Sequence, residues 1–348
     1  MKPNPILSVI IPCYNNGKLL AEMLDCCLRQ TYQDWEVIVV DDGSTDDTPL
    51  IVEAYAAKDS RIHFFRRNRE PKGSLTSRNI GFGHAKGEYI IHFDADDLIS
   101  DTCFEDRVAF MDSHPDCAYA TFKGQSFGIK DGKMVFSKST PYGVLQVKGD
   151  MLTGFLTTHY PFSIWNNIYR REAIEDYVWD EKVKVYSDFS YAVPLILKGV
   201  NHLFADKDEF DYYYRQFYSK NNMCASAVNE DKCSSTLYLF HKTLTSLSGR
   251  DDYEQRKNEF LEFIILHYKR LILGGNYEDA EKYIDMLKDF YSQSIIKSLE
   301  KILAKFRRTK HNKTYEVKVY WTFYRKYKYK FDRTMAIHTF GKLILGRI

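Results

Sequence analysis

Three carboxylates, Asp94, Asp96 and Asp97, follow directly on the apolar run Tyr89-Ile90-Ile91-His92-Phe93. Like charges this close raise one another's pKa unless a cation lies among them. A hard divalent ion suits such a place, because Mg²⁺ or Mn²⁺ takes one or two carboxylates and completes its shell with phosphate oxygens or water. The same acids also fit a solvated loop or a helix start, since Asp97 precedes a predicted helix over residues 101–113. Two further polar clusters follow apolar runs in the same way. Tyr14-Asn15 comes after residues 6–12, and Asp41-Asp42-Gly43-Ser44-Thr45-Asp46 comes after residues 35–40. A tyrosine ring can stack on a nucleobase, and a carboxylate can accept from a pyrimidine N–H. Taken singly, Tyr14 reads equally as a loop aromatic, and Asp41-Asp42 as a turn before a helix.

Residues 6–12, 35–40, 62–66 and 89–93 are short, apolar and rich in β-branched or aromatic side chains, the pattern of strands buried in a parallel sheet. Helical periodicity fills the gaps, over residues 18–30, 48–58 and 74–84. This alternation predicts an α/β fold with a mostly parallel central sheet, right-handed crossovers and helices on both faces. Ligands in such folds bind beyond the carboxyl ends of the strands, so the three polar clusters are expected along one edge. No Gly-x-Gly-x-x-Gly and no P-loop follows a strand; Pro12-Cys13-Tyr14-Asn15-Asn16 occupies the first such position. A diphosphate here would have to be met by a metal on Asp94 and Asp96, helped by Arg78 or a lysine.

Four ordered segments carry a family likeness. Ser8-Val9-Ile10-Ile11-Pro12-Cys13-Tyr14-Asn15, Val39-Val40-Asp41-Asp42-Gly43-Ser44-Thr45-Asp46, Arg78-Asn79-Ile80-Gly81 and Gly87-Glu88-Tyr89-Ile90 through Asp94-Ala95-Asp96-Asp97 together resemble family 2 glycosyltransferases. The resemblance implies a GT-A fold and inverting transfer from a nucleotide-diphospho-sugar, UDP being the usual nucleotide. It places Pro12, Tyr14, Asn15, Asp41, Asp42, Arg78, Asp94 and Ala95 along the donor nucleotide, with Asp42 on the base and Asp96, with Asp94, at a Mn²⁺ or Mg²⁺. Arg78 would hold the loop or the diphosphate, or simply pair with the acids. Further on, Trp165-Asn166-Asn167-Ile168-Tyr169-Arg170-Arg171 and then Asp188 resemble the family's acceptor-side segment, which makes Asp188 the expected catalytic base. Ser187 stands where the family usually has Glu, and Asn167 where Lys is common. Asp188 could also cap a helix over residues 189–197. Trp165 and His159 are candidate acceptor contacts.

An inverting displacement needs one carboxylate to take the proton of the attacking hydroxyl, whereas a glycoside hydrolase would want two flanking the bond. A sugar nucleotidyltransferase of related fold would show a first loop rich in glycine and Arg/Lys. A non-catalytic nucleotide- or carbohydrate-binding relative would lose the base. Residues 1–219 are therefore expected to form the catalytic domain, with a hairpin at Asp131-Gly132 and a last strand-like run near Tyr212.

The chain has 348 residues, is 44% apolar and carries a net charge of +2. That charge is uneven. From Arg307 to Ile348 there are 12 Lys/Arg against 2 Asp/Glu, which leaves the first 306 residues at −8. Residues 220–310 read as three or four antiparallel helices. Residues 311–348 interleave aromatics with bases, as amphipathic segments on anionic membranes do; a solvated tail or an oligomer contact fits them too. No nucleic-acid reader motif is present. Seven cysteines without metal-type spacing, no secretion signal and no run of about 18 apolar residues lead us to expect a cytoplasmic protein, attached peripherally to the inner leaflet. A lipid-linked or growing cell-surface glycan, such as a capsular polysaccharide or lipopolysaccharide, is the expected acceptor.

Overall fold

A computed structural model describes residues 5–137, 142–144, 149–216 and 230–309. The chain groups into two compact units, Met1–Phe155 with Tyr160–Asn222, and Leu156–His159 with Met223–Ile348.

The first unit opens with strands and helices in alternation: β1 (Leu7–Cys13), α1 (Gly17–Leu28), β2 (Trp35–Asp41), α2 (Thr48–Lys58), β3 (Ile62–Arg66), α3 (Ser74–His84) and β4 (Tyr89–His92). Every residue of β1, β2 and β4 is buried, which is why these strands are apolar without alternation. Two polar side chains in these strands carry their own bonds. Ser8 Oγ donates to Glu36 Oε1 at 2.6 Å and accepts from Gly87 N–H at 2.7 Å. A Cβ on Gly87 would lie 2.6 Å from the Ser8 nitrogen, so only glycine lets the chain enter β4 this close to β1.

The unit continues with β5 (Leu98–Ile99), α4 (Cys103–Ser113), β6 (Tyr119–Thr121), β7 (Gly124–Lys130), β8 (Lys133–Phe136), α5 (Met151–Leu156), β9 (Asn167–Arg170), α6 (Arg171–Ile174), α7 (Ser187–Lys198), β10 (His202–Phe204) and β11 (Tyr212–Arg215). The main sheet has seven strands in the order β10-β6-β9-β4-β1-β2-β3. β9 runs antiparallel between β4 and β6, with Ile168 opposite both Ile91 and Ala120. Its sequence gave no strand signal of its own, because Asn167 and Arg170 interrupt the apolar pattern. A second sheet has the order β5-β11-β7-β8. Its β7–β8 hairpin turns at Asp131 (φ 51°) and Gly132 (φ 72°), the left-handed pair that the Asp-Gly dipeptide predicts.

One buried ion pair ties α4 to the second sheet. Arg107, with no exposed surface, donates to Asp211 through Nε at 2.6 Å and Nη2 at 2.9 Å, and to the Trp165 carbonyl at 3.0 Å.

In the second unit four helices are described, α8 (Glu230–Leu247), α9 (Tyr253–Leu273), α10 (Tyr277–Leu287) and α11 (Gln293–Thr309). The Phe240 ring meets those of Phe260, Phe263 and Tyr283 at 5.2, 5.1 and 5.9 Å to form its core. Tyr268 OH donates to the Leu299 carbonyl at 3.0 Å and fixes α9 against α11. The basic tail, residues 311–348, lies outside the described residues. No helix among those described is long and apolar enough to cross a membrane.

Removing one partner of a buried ion pair strands the other charge, at a cost of about 3–5 kcal/mol. Asp211→Ala is therefore expected to lower the urea midpoint sharply, while Arg107→Met/Asp211→Leu recovers most of the loss.

Candidate active site

β1 and β2 pair in parallel with Cys13 opposite Asp41, so Tyr14 and Asp42 leave the sheet side by side. The Asp42 N–H donates to the Cys13 carbonyl at 2.9 Å and locks that juxtaposition. The two aspartates then diverge in use. Both oxygens of Asp41 accept from the Ser44 N–H at 3.1 Å, so this carboxylate shapes the turn. Asp42 accepts through Oδ1 from Arg67 Nε at 2.7 Å and Gly73 N–H at 3.0 Å, and its Oδ2 has no donor among the described residues.

Asn15 adopts φ 48° and spends its side-chain oxygen on the Thr45 N–H at 2.8 Å, so it too holds the two loops together. Tyr14 is 46% exposed, with Lys72 Nζ 3.6 Å from its ring centroid. Pro12 is buried near the end of β1.

The acids beyond β4 also divide their work. Asp97 is fully buried, and burial holds its carboxyl well above the usual range. It accepts from Tyr212 OH at 2.7 Å and from the Arg215 N–H at 2.6 Å. Arg215 in turn donates from Nε to the Asp96 carbonyl at 2.7 Å and from Nη2 to Glu22 at 2.6 Å. This latch joins the loop to β11 and fixes the backbone that presents Asp96. Asp94 pairs with Arg78 Nη2 at 2.5 Å, and Tyr212 OH accepts from the Asp94 N–H at 3.3 Å. Arg78 comes from α3 and is 7% exposed; its Nη1 finds no partner among the described residues. Ala95 is buried between the acids. The half-buried Asp96 carboxyl is pushed up to about 6, first by burial and then by Asp94.

Asp188 reaches the same edge from α7. That helix begins at Ser187, two residues before the expected start, so Asp188 lies in its first turn; the position before the helix belongs to Tyr186, which takes the left-handed conformation (φ 62°, ψ 41°). Asp188 Oδ1 accepts from the Ile164 N–H at 3.1 Å. Burial pushes its carboxyl up to about 6, Asp94 adds to the rise, and Arg78 opposes it.

The two candidate acceptor contacts differ. Trp165 is 5% exposed and stacks on Tyr212 at 4.3 Å, a packing role. His159 is exposed, with Nδ1 3.3 Å from Thr157 Oγ1. Tyr212, Arg215, Lys72 and Glu181 were not singled out from the sequence. Glu181 clamps Arg69 at 2.6 Å and Asn79 at 2.6 Å, drawing its loop onto α3. The run Tyr212-Tyr213-Tyr214-Arg215 signalled a strand, but nothing in it pointed to the latch.

Among the described residues no group of three or more His, Cys, Asp or Glu side chains gathers as a ready-made metal centre. What is present is a pair of oxygen donors, Asp94 and Asp96, whose mutual repulsion a divalent ion would relieve. Those residues fit an ion that takes the rest of its shell from a diphosphate and water.

The sheet order, the antiparallel β9 and the acids at the strand ends define a GT-A transferase fold. Residues 8–178 match the family model described as Glycosyl transferase family 2, and that stretch of the chain belongs to the family. The glycosyltransferase GlyG of Streptococcus pneumoniae is 40% identical over 100 residues, 29% of this chain and 33% of GlyG. The chain thus spans about a third of that relative's length. A cholesterol galactosyltransferase of Borreliella burgdorferi is 26% identical over 83% of this chain and 78% of its own. The crystal structure of S. aureus TarS 1-349 in complex with UDP-GlcNAc matches at a TM-score of 0.63 and 22% identity, covering 87% of each chain. It shares the fold.

Tyr212→Phe removes one bond to the buried Asp97 and is expected to cost about 1–3 kcal/mol. Urea denaturation measures this, with Tyr14→Phe, at an exposed ring, as a control of near-wild-type stability.

Proposed function

We propose that the chain is an inverting glycosyltransferase that moves a sugar from a UDP-sugar to a hydroxyl of a cell-surface glycan. The observation that carries this reading is Asp188, a carboxylate held by the Ile164 N–H, raised to about 6 by burial and subject to the charges of both Asp94 and Arg78. A base in that position can be ionised at neutral pH yet basic enough to accept a proton from an attacking hydroxyl.

Each residue has a part. Tyr14 stacks on the base once Lys72 yields its face, and Asp42 accepts a base N–H on its open Oδ2. Arg78 donates from Nη1 to the diphosphate. Asp96, with Asp94, holds Mn²⁺ or Mg²⁺, which when bound neutralises charge on the departing nucleoside diphosphate. Asp188 orients the acceptor hydroxyl and takes its proton as the new glycosidic bond forms on the face opposite the leaving group. The sugar, hexose or N-acetylhexosamine, is set by residues around the β7–β8 sheet. The acceptor is a growing or lipid-linked glycan of the envelope, and residues 311–348 hold the protein at the cytoplasmic face of the membrane.

The test is a pH profile of kcat/KM at saturating metal, with product anomeric configuration read by NMR. Because the base works deprotonated and its pKa is raised, activity should be full above about 7 and fall about tenfold per pH unit below about 6. Retention of configuration, or a flat profile down to pH 5, would overturn the reading.

A further inference from the structure

Among the described residues seven large apolar side chains are exposed, and four of them sit in one hairpin: Ile129, Met134, Val135 and Phe136, at 51, 41, 50 and 47%. The strand register sorts them. Ile129 lies opposite Met134, Phe127 opposite Phe136, and Lys130 opposite Lys133. Successive strand side chains alternate faces, so Ile129, Met134 and Phe136 share one face with the buried Phe127. The other face carries Lys130, Lys133, Gly128 and Val135. Phe136 rests on Tyr213 at 5.7 Å, so the apolar face continues outward from the core of the second sheet.

Like charges directly opposite one another weaken a β-pair. Lys130 and Lys133 hold that position with only Asp131 of the turn between them, an arrangement that an anionic partner would relieve. A second copy of the chain fits poorly. The three side chains expose on the order of 250 Å², far short of the roughly 800 Å² per partner of a stable dimer, and a lysine on edge strand β8 discourages strand-to-strand pairing. An apolar ribbon face backed by lysines is what lies flat in a headgroup layer, with its hydrophobic side toward the acyl chains and its ammonium groups at the phosphates.

We propose that the β7–β8 hairpin is a docking element for an anionic lipid surface. It lies within the first unit and is independent of residues 311–348.

The experiment uses the full chain and vesicles of phosphatidylcholine with or without phosphatidylglycerol. Ile129→Thr/Met134→Thr should lower the partition coefficient onto phosphatidylglycerol vesicles by about tenfold or more while leaving thermal stability near that of wild type, since both side chains are exposed and a cross-strand Thr pair suits a β-ribbon. Met134→Trp should show a blue-shifted difference spectrum against wild type, with quenching by lipids brominated on the acyl chains. The proposal is overturned if the protein does not pellet with these vesicles. It is also overturned if the double variant pellets as well as wild type, if the Met134→Trp signal is unmoved by lipid, or if the variants instead abolish a concentration-dependent dimer seen by sedimentation velocity.

Discussion

Three carboxylates at the end of one buried strand cannot all be ionised and unpartnered, and the surroundings of the site answer that constraint. Asp94 is given a guanidinium, Asp97 is given a tyrosine hydroxyl and a backbone N–H, and Asp96 keeps a carboxyl raised first by burial and then by Asp94. The partners come from two distant parts of the chain. Arg78 belongs to α3, and Tyr212 and Arg215 belong to β11, more than a hundred residues beyond the acids. The second sheet therefore does more than widen the domain. It carries the latch that allows a buried Asp97 to anchor the loop, and the Arg107–Asp211 pair fixes that latch to α4.

The same logic extends to Asp188 in α7. Asp188 is tethered by the Ile164 N–H, but burial and the nearby Asp94 keep its pKa high. Arg78 acts on Asp94 and Asp188 together, pairing with the first and limiting the rise of the second. A single buried arginine thus sets the electrostatic relation between the two sides of the site.

Much of this was legible in the chain because buried parallel strands have no choice but to be apolar. β1, β2 and β4 announce themselves, and polar residues at their ends must sit on one edge. Asp94, Asp96, Tyr14 and Asp42 could be placed together for that reason. The rest depended on contacts that sequence spacing does not encode. Nothing in Asn15 or Asp41 shows that their side chains are committed to the Thr45 and Ser44 backbone. β9 is short and polar at both ends, so its antiparallel insertion is visible only in the register with β4 and β6. Asp188 stood out through its family likeness, since locally it is one more acid near a helix start.

The central claim is that Asp188 acts on the proton of the attacking hydroxyl and not on donor binding. The most direct measurement is Asp188→Asn, read as steady-state transfer from a UDP-sugar beside calorimetric affinity for UDP with Mn²⁺. The account predicts a loss of about 10²–10⁴ in kcat with UDP affinity unchanged. Transfer at the wild-type rate, or a loss explained wholly by weaker UDP binding, would contradict it.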